Sequence, residues 1–200
     1  VLRERLAATG VTTVLVTHDA VEALELAAHM AVMDSGRVVE EGAPAAVLAR
    51  PSSVFAARLA GFNIVSGRAR RGDGLVGVRV GGAGDAPDGP VALLFAPEAV
   101  ALSRGPVDAS PRSQLPGRVE SVDASGGVIT VGVLLGAEPP SGSDAPGPAS
   151  GSGEPALVRA RVTTAAWAEL GLGVGDAVWS SIKATQVRAV PLSEPAAPAD

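Results

Sequence analysis

The side chain with the most chemistry to offer near the start of this chain is His18, set in Thr17-His18-Asp19. Histidine alone among the side chains ordinarily titrates close to neutral pH, and its neutral ring carries one donor and one acceptor nitrogen. It stands where an apolar run meets a helix start, at the carboxyl end of an expected strand, and open α/β sheets bind their ligands there. Later in the chain Arg112 lies close to Ser110, Lys183 lies close to Thr185, and Thr163 precedes an apolar stretch. Read singly, these are solvated charges at strand ends and an ordinary strand threonine, so their meaning depends on what brings them together. No cysteine is present, which excludes disulfides and thiolate metal sites.

The elements that would position His18 are local. Thr13 to Val16 form a short, nearly continuous apolar run rich in β-branched residues, the pattern of a strand covered on both faces in a parallel sheet. Asp19 is a good N-cap, with Glu22 three residues on at the capping-box position and Val21, Leu24 and Leu26 as an apolar face. Before the strand, Val1 to Leu6 reads as the tail of a helix with Gly10 in its C-cap region, so the chain is expected to be a fragment. After the helix, Ala31 to Met33 and Arg37 to Glu40 flank Asp34-Ser35-Gly36 and predict a hairpin. Pro44 to Ala49 and Ser53 to Ala60 read as two short helices, with Ser52 as the expected cap of the second. His29 is expected to complement carbonyls at the end of the first helix.

From Asn63 the pattern changes to short β-branched runs separated by glycine-rich turns, such as Leu75 to Val80 and Val91 to Phe95. Trp167 and Trp179 each sit in an apolar period and read as core anchors. The tract 136–155 is rich in Gly, Pro and Ser and has too little apolar area to offset ordering, so it predicts a mobile loop; the tail 193–200 is expected to be disordered. Of the 200 residues 46% are hydrophobic but only 2% aromatic, so packing relies on small side chains. The net charge of −5 and the lack of a basic stripe argue against a nucleic-acid partner. No apolar run is long enough to span a bilayer, and the expectation is a cytoplasmic protein.

Val16-Thr17-His18-Asp19 followed by Glu22-Ala23, and then the hairpin through Gly42, resembles the end of the nucleotide-binding domain of ATP-binding cassette (ABC) transporters. The resemblance implies that His18 is the switch-loop histidine that contacts the γ-phosphate of ATP with Mg²⁺ in a complete ATPase. The phosphate-cradling G-x-x-x-x-G-K-[ST] loop is absent from the sequence, as are the acidic metal-holding residue and the signature motif, so no ATP hydrolysis is expected of the chain alone. Ala96-Pro97-Glu98-Ala99-Val100 resembles a turn of the small barrels appended to importer ATPases, with Ala96 where such barrels usually carry arginine.

Ser110-Pro111-Arg112-Ser113-Gln114-Leu115-Pro116-Gly117 resembles the opening of the molybdate-binding Mop module, one of the transport-associated OB (TOBE) barrels. Val162-Thr163, Glu169-Leu170-Gly171-Leu172, Gly175-Asp176 and Ile182-Lys183-Ala184-Thr185 resemble its closing stretch. The resemblance implies an oxyanion site made by Ser110 and Arg112 from one end, and by Lys183, the amides of Ala184 and Thr185, and Thr163 from the other, meeting where two modules dimerise. A small dianion stripped of water needs converging cations, hydroxyls and N–H groups, which this set supplies. Pro111 removes one potential donor, and Ala166 stands where relatives often place a hydroxyl.

The fold expected is α+β: an incomplete α/β lobe of the P-loop ATPase kind over 1–62, a β-rich segment over 63–106, and a Mop/TOBE OB-like barrel over 107–192. The expected function is that of the carboxyl-terminal part of an ABC importer's ATP-binding subunit, peripheral at the inner face of the membrane. Its expected partners are permease subunits and a second copy of itself, and its barrel is expected to bind molybdate or tungstate. Two alternatives stay open: a stand-alone oxyanion-binding or storage protein, and a ligand-free regulatory barrel of an importer for another solute.

Overall fold

A computed structural model describes residues 4, 5, 8, 10–70, 74–76, 89–107, 114–135 and 156–192. The chain is mostly β with few helices and divides into two compact units, Val1–Phe62 and Asn63–Asp200.

In the first unit, α1 (Ala20–Leu26) starts at Asp19, whose carboxylate accepts from the amides of Val21 and Glu22. Strands β1 (Met30–Asp34) and β2 (Arg37–Gly42) pair antiparallel, with a register shift at Val32/Met33. The connecting residues Ser35 and Gly36 both have positive φ, 49° and 77°, the primed turn geometry that matches the twist of a two-residue hairpin. Helix α2 (Pro44–Ala49) opens on proline, whose missing N–H costs nothing in a first turn. Helix α3 (Val54–Leu59) is capped by Ser53, not by Ser52. Ser52 and Ser53 instead donate their amides to the Glu40 carboxylate, with the Ser53 hydroxyl donating at 3.0 Å, so β2 is tied to the start of α3. The core is small, made of Val32, Val47 and Ala56 with Met30 against it.

The run 11–16 departs from expectation. It lies in no strand, and Val14 and Val16 are 88% and 93% exposed. A strand exists through its ladder, and the sheet described in this unit is the β1–β2 pair alone. His29 also differs: its Nε2 lies 3.9 Å from a Glu41 carboxylate oxygen, with both side chains exposed, so it faces an acid across the hairpin.

In the second unit, β3 (Asn63–Arg70), β4 (Gly74–Val76) and β5 (Gly89–Phe95) form a sheet ordered β11-β5-β3-β4, with β11 (Arg188–Pro191) returning from the far end of the chain. A short 3₁₀ turn, Pro97–Ala99, leads into β6 (Val100–Ser103). Strands β7 (Gln114–Ser125), β8 (Val128–Leu135), β9 (Leu157–Thr163) and β10 (Ala177–Ile182) join β6 in a sheet ordered β6-β10-β7-β8-β9. Helix α4 (Thr164–Leu170) connects β9 to β10. Strand β9 at one edge packs back against β6 at the other, so the sheet curls on itself in the manner of a small barrel.

Residue 106 does not divide these sheets. Strand β6, from the earlier segment, pairs with β10, and β11, from the later one, pairs with β5. One core joins both, with Val65, Leu93, Phe95, Val119, Val133, Val158 and Ile182 among its buried members. Trp167 packs against this core and Trp179 is buried. Gly117 lets β7 and β8 approach closely, because a Cβ there would sit 2.7 Å from the Leu134 carbonyl oxygen.

Candidate functional site

The surroundings of His18 are built by short-range bonds. Asp19 Oδ1 accepts from the amide of Val21 at 2.7 Å and from that of Glu22 at 3.4 Å. The Asp19 amide donates to Thr17 Oγ1 at 3.0 Å, and that hydroxyl donates onward to Glu22 Oε2 at 2.6 Å. In a standard capping box the glutamate would take the cap residue's N–H directly; here Thr17 stands between them. His18 is held on both sides of its backbone while its ring is exposed.

In the second unit, β10 delivers Lys183 at the end of its ladder with Val100, and the Lys183 amide donates to the Ala99 carbonyl at 3.5 Å. The chain then turns into a 3₁₀ segment, Ala184–Gln186, closed by the Gln186 amide on the Lys183 carbonyl at 2.9 Å. Lys183 and Thr185 are both exposed. Ser110 and Arg112 lie outside the described residues, so the proposed meeting of the two ends rests on Lys183, Ala184, Thr185 and Thr163 alone.

Thr163 has a definite task. It is the N-cap of α4, with its hydroxyl accepting from the Ala166 amide at 3.2 Å. A hydroxyl that accepts one bond keeps its own proton to donate. Thr163 also lines an open groove of about 530 Å³ with Glu98, Ser125, Val128, Thr130, Arg161 and Val162. Lys183 is not part of that lining, although its amide is bonded to the residue beside Glu98. Across the groove Arg161 Nη1 meets Glu98 Oε1 at 2.6 Å, with each side chain more than half exposed. Such an exposed pair contributes only about 0–1 kcal/mol, so it is easily exchanged for another partner.

Glu98 and Arg161 were not singled out from sequence. The signal for Arg161 was present in Arg159-Ala160-Arg161, where the outward residues of β9 alternate with buried Val158 and Ala160. Glu98 reads as part of the turn 96–100, but nothing in the sequence pairs it with Arg161, 63 residues away.

Strand β9 is set from its free edge by Asn63. The buried Asn63 side chain donates to the Arg159 carbonyl at 2.8 Å and accepts from the Arg159 amide at 2.7 Å, standing in for a neighbouring strand. Helix α4 is closed at its far end by Gly171 in the left-handed region and by Arg104, whose Nη2 donates to the Gly171 carbonyl at 2.6 Å.

The TOBE domain matches residues 152–189, which take in β9, α4, β10 and the first half of β11. The molybdenum import ATP-binding protein ModC of Mycobacterium tuberculosis is 36% identical over 196 residues, covering 94% of this chain and 48% of the relative. The chain is like the carboxyl-terminal part of an ABC-importer ATP-binding subunit. The sulfate/thiosulfate import ATP-binding protein CysA 2 of Agrobacterium fabrum is 44% identical to this importer-like chain over 77 residues, 38% of this chain and 23% of that protein. The importer-like chain spans about half the length of the first of these relatives. Among solved structures, the cytoplasmic molybdate-binding protein ModG with molybdate bound has a TM-score of 0.49 and 21% identity, over 64% of this chain and 96% of that one.

Among the described residues of the importer-like chain no helix is long and apolar enough to cross a membrane. No group of His, Cys, Asp or Glu among them could hold a metal ion.

Proposed function

We propose that this chain is the carboxyl-terminal, regulatory portion of the ATP-binding subunit of an importer for molybdate or tungstate, peripheral to the membrane and working with permease subunits. The observation that carries this reading is 36% identity to a molybdenum import ATP-binding protein over 94% of the chain. In this reading Ser110, Arg112, Lys183, Thr163 and the amides of Ala184 and Thr185 surround the oxyanion where the barrels of two copies meet. A bound anion then favours the paired arrangement by as much as its affinity differs between paired and separate barrels.

His18 is the contact for the γ-phosphate in the complete subunit. One imidazole nitrogen donates to a phosphate oxygen, and the ring so distinguishes a triphosphate from a diphosphate. The residues of this chain do not by themselves fit ATP and Mg²⁺: the sequence contains no G-x-x-x-x-G-K-[ST] loop, and its one lysine is Lys183. ATP hydrolysis is therefore not assigned to it.

A second reading is favoured by the sulfate/thiosulfate relatives, of which one is 44% identical over 77 residues. Here the barrel belongs to an importer of another oxyanion and binds neither molybdate nor tungstate. Calorimetric titration of the chain with molybdate, tungstate, sulfate and phosphate separates the two. Heat of binding for molybdate and tungstate, lost in Arg112→Ala and Lys183→Ala, is the expected result. Binding of sulfate in preference, or of none of the four, would overturn the molybdate reading.

A further inference from the structure

The exposed ring of His18 takes its direction from its own backbone. That backbone is held by one closed loop of bonds running from the Asp19 amide to Thr17 Oγ1, from that hydroxyl to Glu22 Oε2, and back through the Glu22 amide to Asp19 Oδ1. Asp19 caps α1 unaided through Val21 and Glu22. The Thr17–Glu22 bond adds nothing to that capping, since it satisfies no helix amide. What it does is fasten the residue before His18 to the first turn of the helix after it. All partners lie within five residues of one another, so the device does not depend on a sheet beneath it. It persists here although the run 11–16 leading into it pairs with nothing described.

We infer that Thr17 and Glu22 are positioning residues for His18: the threonine hydroxyl, braced by the glutamate carboxylate, fixes the backbone at residue 18 so that its ring meets a phosphate in one direction. This rests on the reading of His18 as a phosphate contact. A group that must report a single oxygen gains from being fixed beforehand, because an ordered donor loses less freedom when its partner arrives.

The test is backbone and ring NMR on the 200-residue chain, in which His18 and His29 are the only histidines. In the unaltered chain the His18 amide should have an order parameter near the rigid value of about 0.85, falling below about 0.6 in Thr17→Val and in Glu22→Ala. The Val21 amide, still held by Asp19, should stay ordered in Thr17→Val, and Thr17→Ser should restore residue 18. Unchanged resonances from the β1–β2 hairpin and from the first unit's own core residues Val32 and Val47 confirm that this unit is folded in each variant. An unaltered chain already mobile at residue 18, or a Thr17→Val variant with His18 unmoved, overturns the inference. Loss of order at 18 and along the whole of α1 together also overturns it, since that is the mark of a merely structural role. A MgATP titration of the complete ATP-binding subunit, which has the phosphate-cradling loop that this chain's sequence does not contain, followed on the His18 ring, tests the other premise separately. No response, with the variant pattern intact, removes the phosphate-contact reading and leaves the positioning role standing.

Discussion

The two units solve the problem of holding a chain in shape by different means. The first, Val1–Phe62, is built from contacts close in sequence: an aspartate cap, a two-residue turn, a proline helix start and a glutamate reaching over to Ser52 and Ser53. Its buried cluster is Val32, Val47 and Ala56, and Val11, Val14, Val16, Val21 and Phe55 stay exposed. The second unit is built from contacts distant in sequence. Strand β11 pairs with β5, β6 pairs with β10, and Asn63 holds the backbone of Arg159, 96 residues away. Local bonds set the direction of a segment without much burial, whereas distant strand pairing encloses a core and makes the unit cooperative. The difference teaches that the backbone at a side chain such as His18 can be held by local bonds in a unit with a small buried cluster.

The largest effect should come from opening the shared core. Phe95 is fully buried, and Phe95→Ala should cost about 3–5 kcal/mol. The chain has two tryptophans, Trp167 and Trp179, both in the second unit, so urea unfolding followed by their fluorescence reports on that unit alone. The His18 and His29 resonances should be unaffected; a change in them would mean that the two units unfold as one. A smaller loss, about 1–3 kcal/mol, is expected for Asn63→Ala, which strips the Arg159 amide and carbonyl of the partner they have in a buried side chain. The same fluorescence transition measures it, and a change below a few tenths of a kcal/mol would show that water replaces the amide at no cost. Smallest of all should be Val14→Ser, within about 0.5 kcal/mol, because that side chain is 88% exposed. Its visible consequence should be lower light scattering at high protein concentration, since an exposed β-branched run that lies in no described strand invites association. Unchanged scattering would mean that the run 11–16 is not the sticky part of the first unit.

Much of the first unit was legible because the decisive interactions lie within a few residues. The cap at Asp19, the positive φ at Gly36 and the proline at the head of α2 follow from the steric and hydrogen-bonding character of single residues. The shift of the α3 cap from Ser52 to Ser53 is a one-residue matter, decided by Glu40 drawing both serine amides toward itself. The run 13–16 differs from its expectation for another reason. Its composition suits a buried strand, yet a strand forms only where another backbone offers a ladder, and composition cannot supply one.

In the second unit the strands themselves could be read, but not their partners. Alternation in Leu157 to Thr163 predicts one face buried and one exposed, and β9 has that pattern. Nothing in a short window says that β6 leaves its own neighbours for β10, or that β11 returns to β5. The groove bearing Glu98 and Arg161 is a product of that exchange, since its two charged residues lie on segments that meet only after the sheet has curled.

Residue chemistry acting over short spans thus determined the turns, the caps, the alternation of the strands, the candidate cation at Lys183 and the histidine at the head of α1. Tertiary structure alone decided which strands pair across the second unit, that Thr163 lines an open groove with Arg161 and Glu98, and that the run before His18 lies in none of the described sheets. Short-range geometry is fixed by sterics and by donors a few bonds away. Pairing between distant strands is chosen by the burial of a common core, and that choice is made by the whole unit at once.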